Sequence, residues 1–416
     1  MKEKKSEAPR RGNEELFKWD GNPTFGQILP LAAQHVLAAV VGCVTPAIIV
    51  ASVAGLSEQD SVILIQAALT MSAITTLIQV FPLLRTGKIA IGSGLPVIMG
   101  ISFAYVPTMQ AIAGRFDIAT ILGAQIVGGI VAVFVGIFIK QIRKFFPPLI
   151  TGTVVFAIGL SLYPTAINYM AGGASNESYG SWENWLVAII TLCIVTALNH
   201  YGKGIWKLSS ILIGMLAGYV VSIPFGMVDL SSVGKASVFQ VPQPLHFGVH
   251  FEISACVAIG LLFAINSIQA IGDYSATTIG AMNRTPKDSE LQGGIVAYGI
   301  TNILGALFGG LPTATYSQNV GIVGSTKVVA KRVFETSAII ILIAGLIPKF
   351  CVPWNCRICA EIFSTSDHDS PVRIGWCYSF RICIYCYDRY EAGSFSRNGL
   401  PEFIHRWSCS SRIAEP

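Results

Sequence analysis

The chain has 416 residues, of which 52% are hydrophobic and 12% charged, and a net charge of +5. A soluble domain carries roughly 25% charged residues, so this chain is too poor in charge to cover a water-facing surface of its own size, and most of its exterior is expected to face lipid. The small positive excess gives no reason to expect a nucleic-acid partner. Residues 1–28 open with Lys2, Lys4, Lys5, Arg10, Arg11 and Lys18 and no apolar core, which reads as a solvated cytoplasmic leader and not as a cleavable signal.

From residue 30 onward, apolar stretches of membrane-spanning length recur near 31–52, 61–84, 117–139, 147–169, 184–199, 208–226, 253–272, 291–309 and 334–349. A crossing needs about 20 apolar residues, and each stretch reaches that length or can be extended to it. Two further stretches, near 92–107 and 310–326, are apolar but interrupted by Gly and Pro. If both cross, the chain makes eleven crossings before residue 350, and its basic residues alternate. Arg85, Lys88, Lys140, Arg143, Lys144, Lys203, Lys207, Arg284, Lys287, Lys327, Lys331 and Arg332 then fall on the cytoplasmic side, and only Arg115 and Lys235 fall outside. That bias is the one membrane insertion imposes, and it predicts an all-α polytopic membrane protein of the cell (inner) membrane with its N-terminus in the cytoplasm.

The two interrupted crossings echo each other. Gly-Leu-Pro occurs at 94–96 and again at 310–312, and seven residues after each proline stand Phe103 and Asn319. These are the third and tenth crossings, an odd offset, so the copies have opposite orientations, as inverted repeats require. Gly and Pro are also common in membrane helices, and a three-residue echo alone is open to chance.

Polar groups within apolar spans cost several kcal/mol unless paired, which makes them candidates for function. The first span holds Gln34-His35; the stretch NSIQAIGDYSATT puts Asn266, Gln269 and Asp273 on one helical face; the tenth crossing holds Ser317, Gln318 and Asn319. Amide groups offer a donor and an acceptor from one end, which suits a planar ligand with alternating donors and acceptors. Each has a plainer reading: His35 and Gln269 as bonds between helices, and Asp273, near the cytoplasmic end of its span, as a solvated or capping carboxylate. The spans show no nucleophile–base pair and no phosphate loop, so an enzyme is not expected.

The segments QHVLAAVVG, GSGLPVIMGISFAYVP, AIGDYSATT and TYSQNVGIVGSTKV resemble the nucleobase/ascorbate transporter family, the xanthine–uracil permeases, over about residues 25–350. The resemblance implies two inverted seven-span repeats whose interrupted crossings are a short strand plus a half-helix, often in a homodimer. It implies transport of a nucleobase with a proton or sodium ion and no resident cofactor. Carried over by position, Phe103 would stack on the base, the backbone at Ala104 would hydrogen-bond it, and Gln318 would read its edge. Asn319 and Gly321 would shape that motif, and His35 would support it. Where many members have a glutamate, four residues before Asp273, this chain has Gln269, which cannot carry a proton; Asp273 is then the nearest coupling group, with Asn266 beside it. Gln318 in place of glutamate favours purines such as xanthine or urate over uracil.

The division that follows is a first seven-span repeat over 29–228, four spans of a second repeat over 250–350, and a tail over 351–416. Three of the ten cysteines precede residue 350 and seven follow it, with no sustained span. The pairs Cys356–Cys359 and Cys383–Cys386 could form a zinc site of two thiolate pairs. A shifted reading frame is the competing account: codons compatible with Ser370–Phe380, read one base forward, permit HQSVLGGAILF, which resembles the family's next segment. On that account the second repeat lacks three spans, and the chain as written is expected to be a poorly folded or inactive product of a broken permease gene. A uracil or anion transporter of the same architecture is the remaining alternative.

Overall fold

The computed structural model describes residues 14–84, 90–142, 163–172, 179–202, 210–225 and 241–347, together with the isolated positions Thr153, Ala157 and Leu160. Most of the span expected at 147–169, the basic residues Arg85, Lys88, Arg143, Lys144, Lys203 and Lys207 expected on the cytoplasmic side, Lys235 and the tail beyond 347 lie outside the described residues.

The apolar stretches form helices α1 (Phe25–Val53), α2 (Glu58–Val80), α4 (Ile118–Ile137), α6 (Trp182–Tyr201), α7 (Ser210–Ser222), α8 (Ile253–Met282), α9 (Asp288–Leu307) and α11 (Lys331–Leu346), with α5 (Tyr163–Met170) before α6. Five of the described helices, α1, α2, α4, α6 and α8, are long and apolar enough to cross a membrane. Helix starts are set by short polar side chains. Ser57 Oγ accepts the Asp60 N–H at 3.1 Å before α2, and Asp117 accepts the Thr120 N–H at 2.7 Å before α4.

Both interrupted crossings break as a strand followed by a helix. The first is β1 (Met99–Ile101), a 3-10 turn at Phe103–Tyr105 and α3 (Val106–Ala113); the second is β2 (Thr313–Thr315) and α10 (Ser317–Thr326). The strands pair antiparallel, Met99 opposite Thr315, Gly100 opposite Ala314 and Ile101 opposite Thr313. Beyond the strands, Tyr316 N–H donates to Ile98 O and Ser102 N–H to Pro312 O, each at 3.0 Å. Pro312 has no N–H to return, and the ladder ends there.

A two-stranded sheet inside a membrane has two open edges, and unpaired backbone there is tolerated only if protein covers it. On the β1 edge, Thr76 Oγ1 accepts the Met99 N–H at 2.9 Å and Ser72 Oγ donates to Met99 O at 2.5 Å, both from α2. On the β2 edge, Asn302 of α9 stands in for a third strand: its Oδ1 accepts the Thr313 N–H at 2.8 Å and its Nδ2 donates to Thr313 O at 3.1 Å. Gln125 of α4 donates to the backbone of Asn302 at 3.0 Å and so fixes the helix that carries the clamp.

Around the sheet the helices approach at small residues. A Cβ added at Gly129 of α4 would lie 2.7 Å from the Gly299 carbonyl oxygen of α9, and one at Gly299 would lie 2.6 Å from the oxygen of Gly129. The two backbones are therefore in direct contact, the close packing that membrane helices reach through glycine.

Each end of the molecule is tied by a peptide segment. Leu245 N–H donates to Leu307 O at 2.7 Å, His246 meets Asp60 at 2.8 Å and His250 N–H donates to Ala119 O at 3.0 Å, so residues 245–250 bind the start of α2, the start of α4 and the end of α9. At the opposite end, Leu16 O accepts the N–H groups of Val329 and Ala330, and Lys331 pairs with Asp20 at 2.6 Å. Residues 14–20, expected to be solvated leader, dock there through buried Leu16 and the Trp19 carbonyl, while Glu14, Phe17, Lys18 and Asp20 stay exposed.

Candidate functional site

Helix α8 runs beside the sheet and touches both interrupted crossings. It continues to Met282, ending at left-handed Asn283, whereas the sequence pattern ended the span at 272. Asp273 is therefore well inside the helix and buried, not a solvated or capping group at its end. Its carboxylate accepts the Thr315 hydroxyl at 2.5 Å and the Ser317 hydroxyl at 2.9 Å, so α8 is tied to the end of β2 and the first residue of α10.

Two turns earlier, Asn266 Oδ1 accepts the Ser102 hydroxyl at 3.2 Å, and Ser102 Oγ accepts the Ala104 N–H at 3.3 Å. The backbone at Ala104 is thus already capped by Ser102. Asn266 and Asp273 are seven residues apart, ~10 Å along the axis at 1.5 Å per residue. Because the strands are antiparallel, the Phe103 turn and the start of α10 leave the sheet at opposite ends. The two α8 side chains mark those two ends.

Gln269 lies between them on the same face, half-buried, its amide against the Asp273 carboxylate. Phe103 and Gln318 are also half-buried. Gln318 has no hydrogen-bond partner among the described residues, which leaves its amide free for a ligand. At buried Gly321 an added Cβ would meet nothing within 4 Å, so open space adjoins α10 there.

His35 and Asn319 form a second, fully buried contact between α1 and α10. Asn319 Nδ2 donates to His35 Nδ1 at 3.0 Å and to His35 O at 3.2 Å. The carbonyl can only accept, which fixes the orientation of the amide, and Nδ1 must then be the unprotonated ring nitrogen. The ring packs on Phe334 of α11 with centroids 4.9 Å apart. His35 thus supports α10 through Asn319.

The residues singled out from sequence therefore fall into two groups around the two interrupted crossings: Phe103, Gln269 and Gln318, half-buried, with open space beside Gly321, and Asn266, Asp273, His35 and Asn319 in buried ties. Thr315, Ser102 and Asn302 escaped the sequence reading. Asn302 carried the same signal that marked Asn266, an amide within an apolar helix; Thr315 and Ser102 are short hydroxyls whose importance comes only from what faces them.

Residues 26–352 match the model of a permease family, that of the xanthine–uracil permeases. The xanthine permease of Bacillus subtilis is 33% identical over 327 residues, 78% of this chain and 73% of the relative. The uric acid permease PucK of the same organism is 34% identical over 324 residues, 78% of this chain and 74% of the relative. Among solved structures, the transmembrane domain of a cyanobacterial bicarbonate transporter, BicA, superposes with a TM-score of 0.56 at 13% identity, over 87% of this chain and 97% of that one. At that identity the likeness concerns the fold: two inverted repeats meeting at interrupted crossings. The chain belongs to the nucleobase/ascorbate transporter family of permeases and is a multi-pass membrane protein.

Proposed function

We propose that this chain is a symporter of purine nucleobases, xanthine or urate among them, set in the cell membrane with its N-terminus in the cytoplasm. The observation that carries the reading is the placement of Gln269 on α8, midway between the tie to the Phe103 turn and the tie to the start of α10. A planar base in that space has an aromatic face at Phe103 and amides at Gln269 and Gln318, each offering a donor and an acceptor. The names of the relatives, xanthine and uric acid permeases, support purines.

Coupling falls to Asp273, since Gln269 is neutral. As a carboxylate, Asp273 accepts two hydroxyl bonds from the end of β2 and the start of α10. A proton on it turns one oxygen into a donor and makes that oxygen a poorer acceptor for the hydroxyl it faces. Protonation thereby loosens α8 from the crossing that holds Gln318, a physical link between the ion and the substrate group. No resident cofactor enters this scheme; the coupling ion is a proton, or sodium at the same carboxylate. A homodimer belongs to this reading as the assembly expected in the membrane.

The test is uptake of labelled xanthine by cells that lack their own purine permeases and make the 416-residue chain. Saturable uptake, competed by urate and lost on adding a protonophore, is expected. Uptake competed by uracil or sulfate but not by urate would move the assignment to a uracil or anion carrier. Uptake no greater than in empty cells would sink the transporter reading for this chain and favour the inactive product of a shifted reading frame.

A further inference from the structure

The side chain of Tyr316 does something the two half-sites do not explain. It leaves the sheet at the end of β2, immediately before α10, and runs back across β1, where its hydroxyl donates to Ile101 O at 3.0 Å. Ile101 lies opposite Thr313 in the register, at the other end of the sheet and two residues before Phe103. One phenol therefore spans the length over which the Phe103 turn and the start of α10 are separated.

Two glycines give it passage. A Cβ on Gly100 of β1 would come within 2.3 Å of the Tyr316 ring, and a Cβ on Gly42 of α1 within 2.9 Å of its hydroxyl oxygen. Separations under about 3 Å do not occur between real Cβ atoms and their neighbours, so the ring fills a slot that exists only because both positions lack a side chain. Tyr316 is buried, and Cys43 Sγ, 3.4 Å from the hydroxyl, closes the slot on the α1 side. Thr315, the preceding residue, faces the other way, toward Asp273 of α8. The chain thus uses consecutive residues to brace both faces: Thr315 holds α8, and Tyr316 holds β1.

We propose that Tyr316 is a positioning residue that sets the gap between Phe103 and Gln318, with Gly42 and Gly100 as the slot that seats it. This rests on the nucleobase reading of that gap. A rigid phenol with its tip hydrogen-bonded is a spacer of fixed length. Remove the tip bond, and the Phe103 turn is free to shift along the sheet relative to α10. Two contacts on one flat ligand would then no longer be met together.

The experiment is equilibrium binding of labelled xanthine to the purified full-length chain, measured beside its melting temperature. Tyr316→Phe keeps the ring and removes the hydroxyl with its bond to Ile101 O; affinity is expected to fall about fivefold, the scale of one lost bond, with melting lowered by only a few degrees. Gly100→Ala should abolish binding in the Tyr316 background yet add nothing in a Tyr316→Ala background, where the slot is empty. That dependence on the partner residue separates a spacer from general destabilisation. Unchanged affinity in Tyr316→Phe, affinity losses that merely track melting, or a Gly100→Ala effect indifferent to residue 316 would each overturn the proposal. Failure of the unsubstituted chain to bind xanthine would instead overturn the nucleobase reading, and this one with it.

Discussion

In the proposed transport scheme Asp273 is the residue on which the two halves meet, because it is the only carboxylate among the described residues of α8 and it touches the crossing that carries Gln318. Asp273→Asn keeps the size of the group and one acceptor oxygen but removes the titration. Xanthine binding is therefore expected to stay within about threefold, the loss of one charge-assisted bond being partly replaced by the amide, while accumulation driven by a pH gradient disappears. Parallel measurements of binding and of gradient-driven uptake decide this. Retained accumulation would move the coupling group elsewhere. The sequence marked Asp273 but misjudged its setting. The polar run SATT after it looks like the mouth of a span, whereas the serine and threonines fold their hydroxyls back onto helix carbonyls, Thr277 to Asp273 O at 2.9 Å and Thr278 to Tyr274 O at 2.9 Å. Hydroxyls that bond within the helix let it run on through the protein to Met282.

At the scale of elements, the paired Gly-Leu-Pro at 94–96 and 310–312, taken with the alternation of basic residues, pointed to two interrupted crossings. It could not show how the freed strand edges are satisfied. Ser72, Thr76 and Asn302 read in sequence as ordinary small or amide residues of α2 and α9, and they become strand partners only when those helices lie beside the sheet. Glycines differ in the same way, and the difference is testable. Gly299 meets a backbone oxygen across the helix contact, which cannot swing aside, and Gly321 meets open space. Gly299→Ala should separate α4 from α9 and lower the melting temperature of the purified chain by several degrees, in the range of about 1–3 kcal/mol for overpacking. Gly321→Ala should leave melting unchanged or slightly raised, since alanine is the better helix former by about 1 kcal/mol. Equal losses from both would show that α4 and α9 do not meet as described.

Across the whole molecule, the two ties at opposite ends impose a polarity that the basic residues had already suggested. Arg284, Lys287, Lys327, Lys331 and Arg332 fall toward the end tied to residues 14–20, and the segment at 245–250 closes the other, where Arg115 lies. That second end has carboxylates in place of a basic cluster. The hydrogen bond from His246, helped by Ser57, holds the Asp60 carboxyl below the usual carboxylate range, and the hydroxyl of Thr120 does the same for Asp117. A carboxyl whose pKa is lowered by folding stabilises the folded form while it is ionised. Its contribution is complete above the ordinary value of about 3.9 and is lost as the pH falls through the lower folded value. The tie at 245–250 is therefore expected to weaken as the pH falls below about 4, and the melting temperature of the purified protein should drop on that acid side. Asp60→Asn with Asp117→Asn keeps the cap at 117, since asparagine caps helices as well as aspartate, and leaves Ser57 as the cap of α2, but nothing in the pair then titrates. The double variant should melt somewhat lower than the unsubstituted chain at pH 7 and show a smaller drop toward pH 2. If its acid limb is as steep as that of the unsubstituted chain, the acid sensitivity belongs to other carboxylates, and the tie at 245–250 is held by its backbone bonds to Leu307 and Ala119 alone.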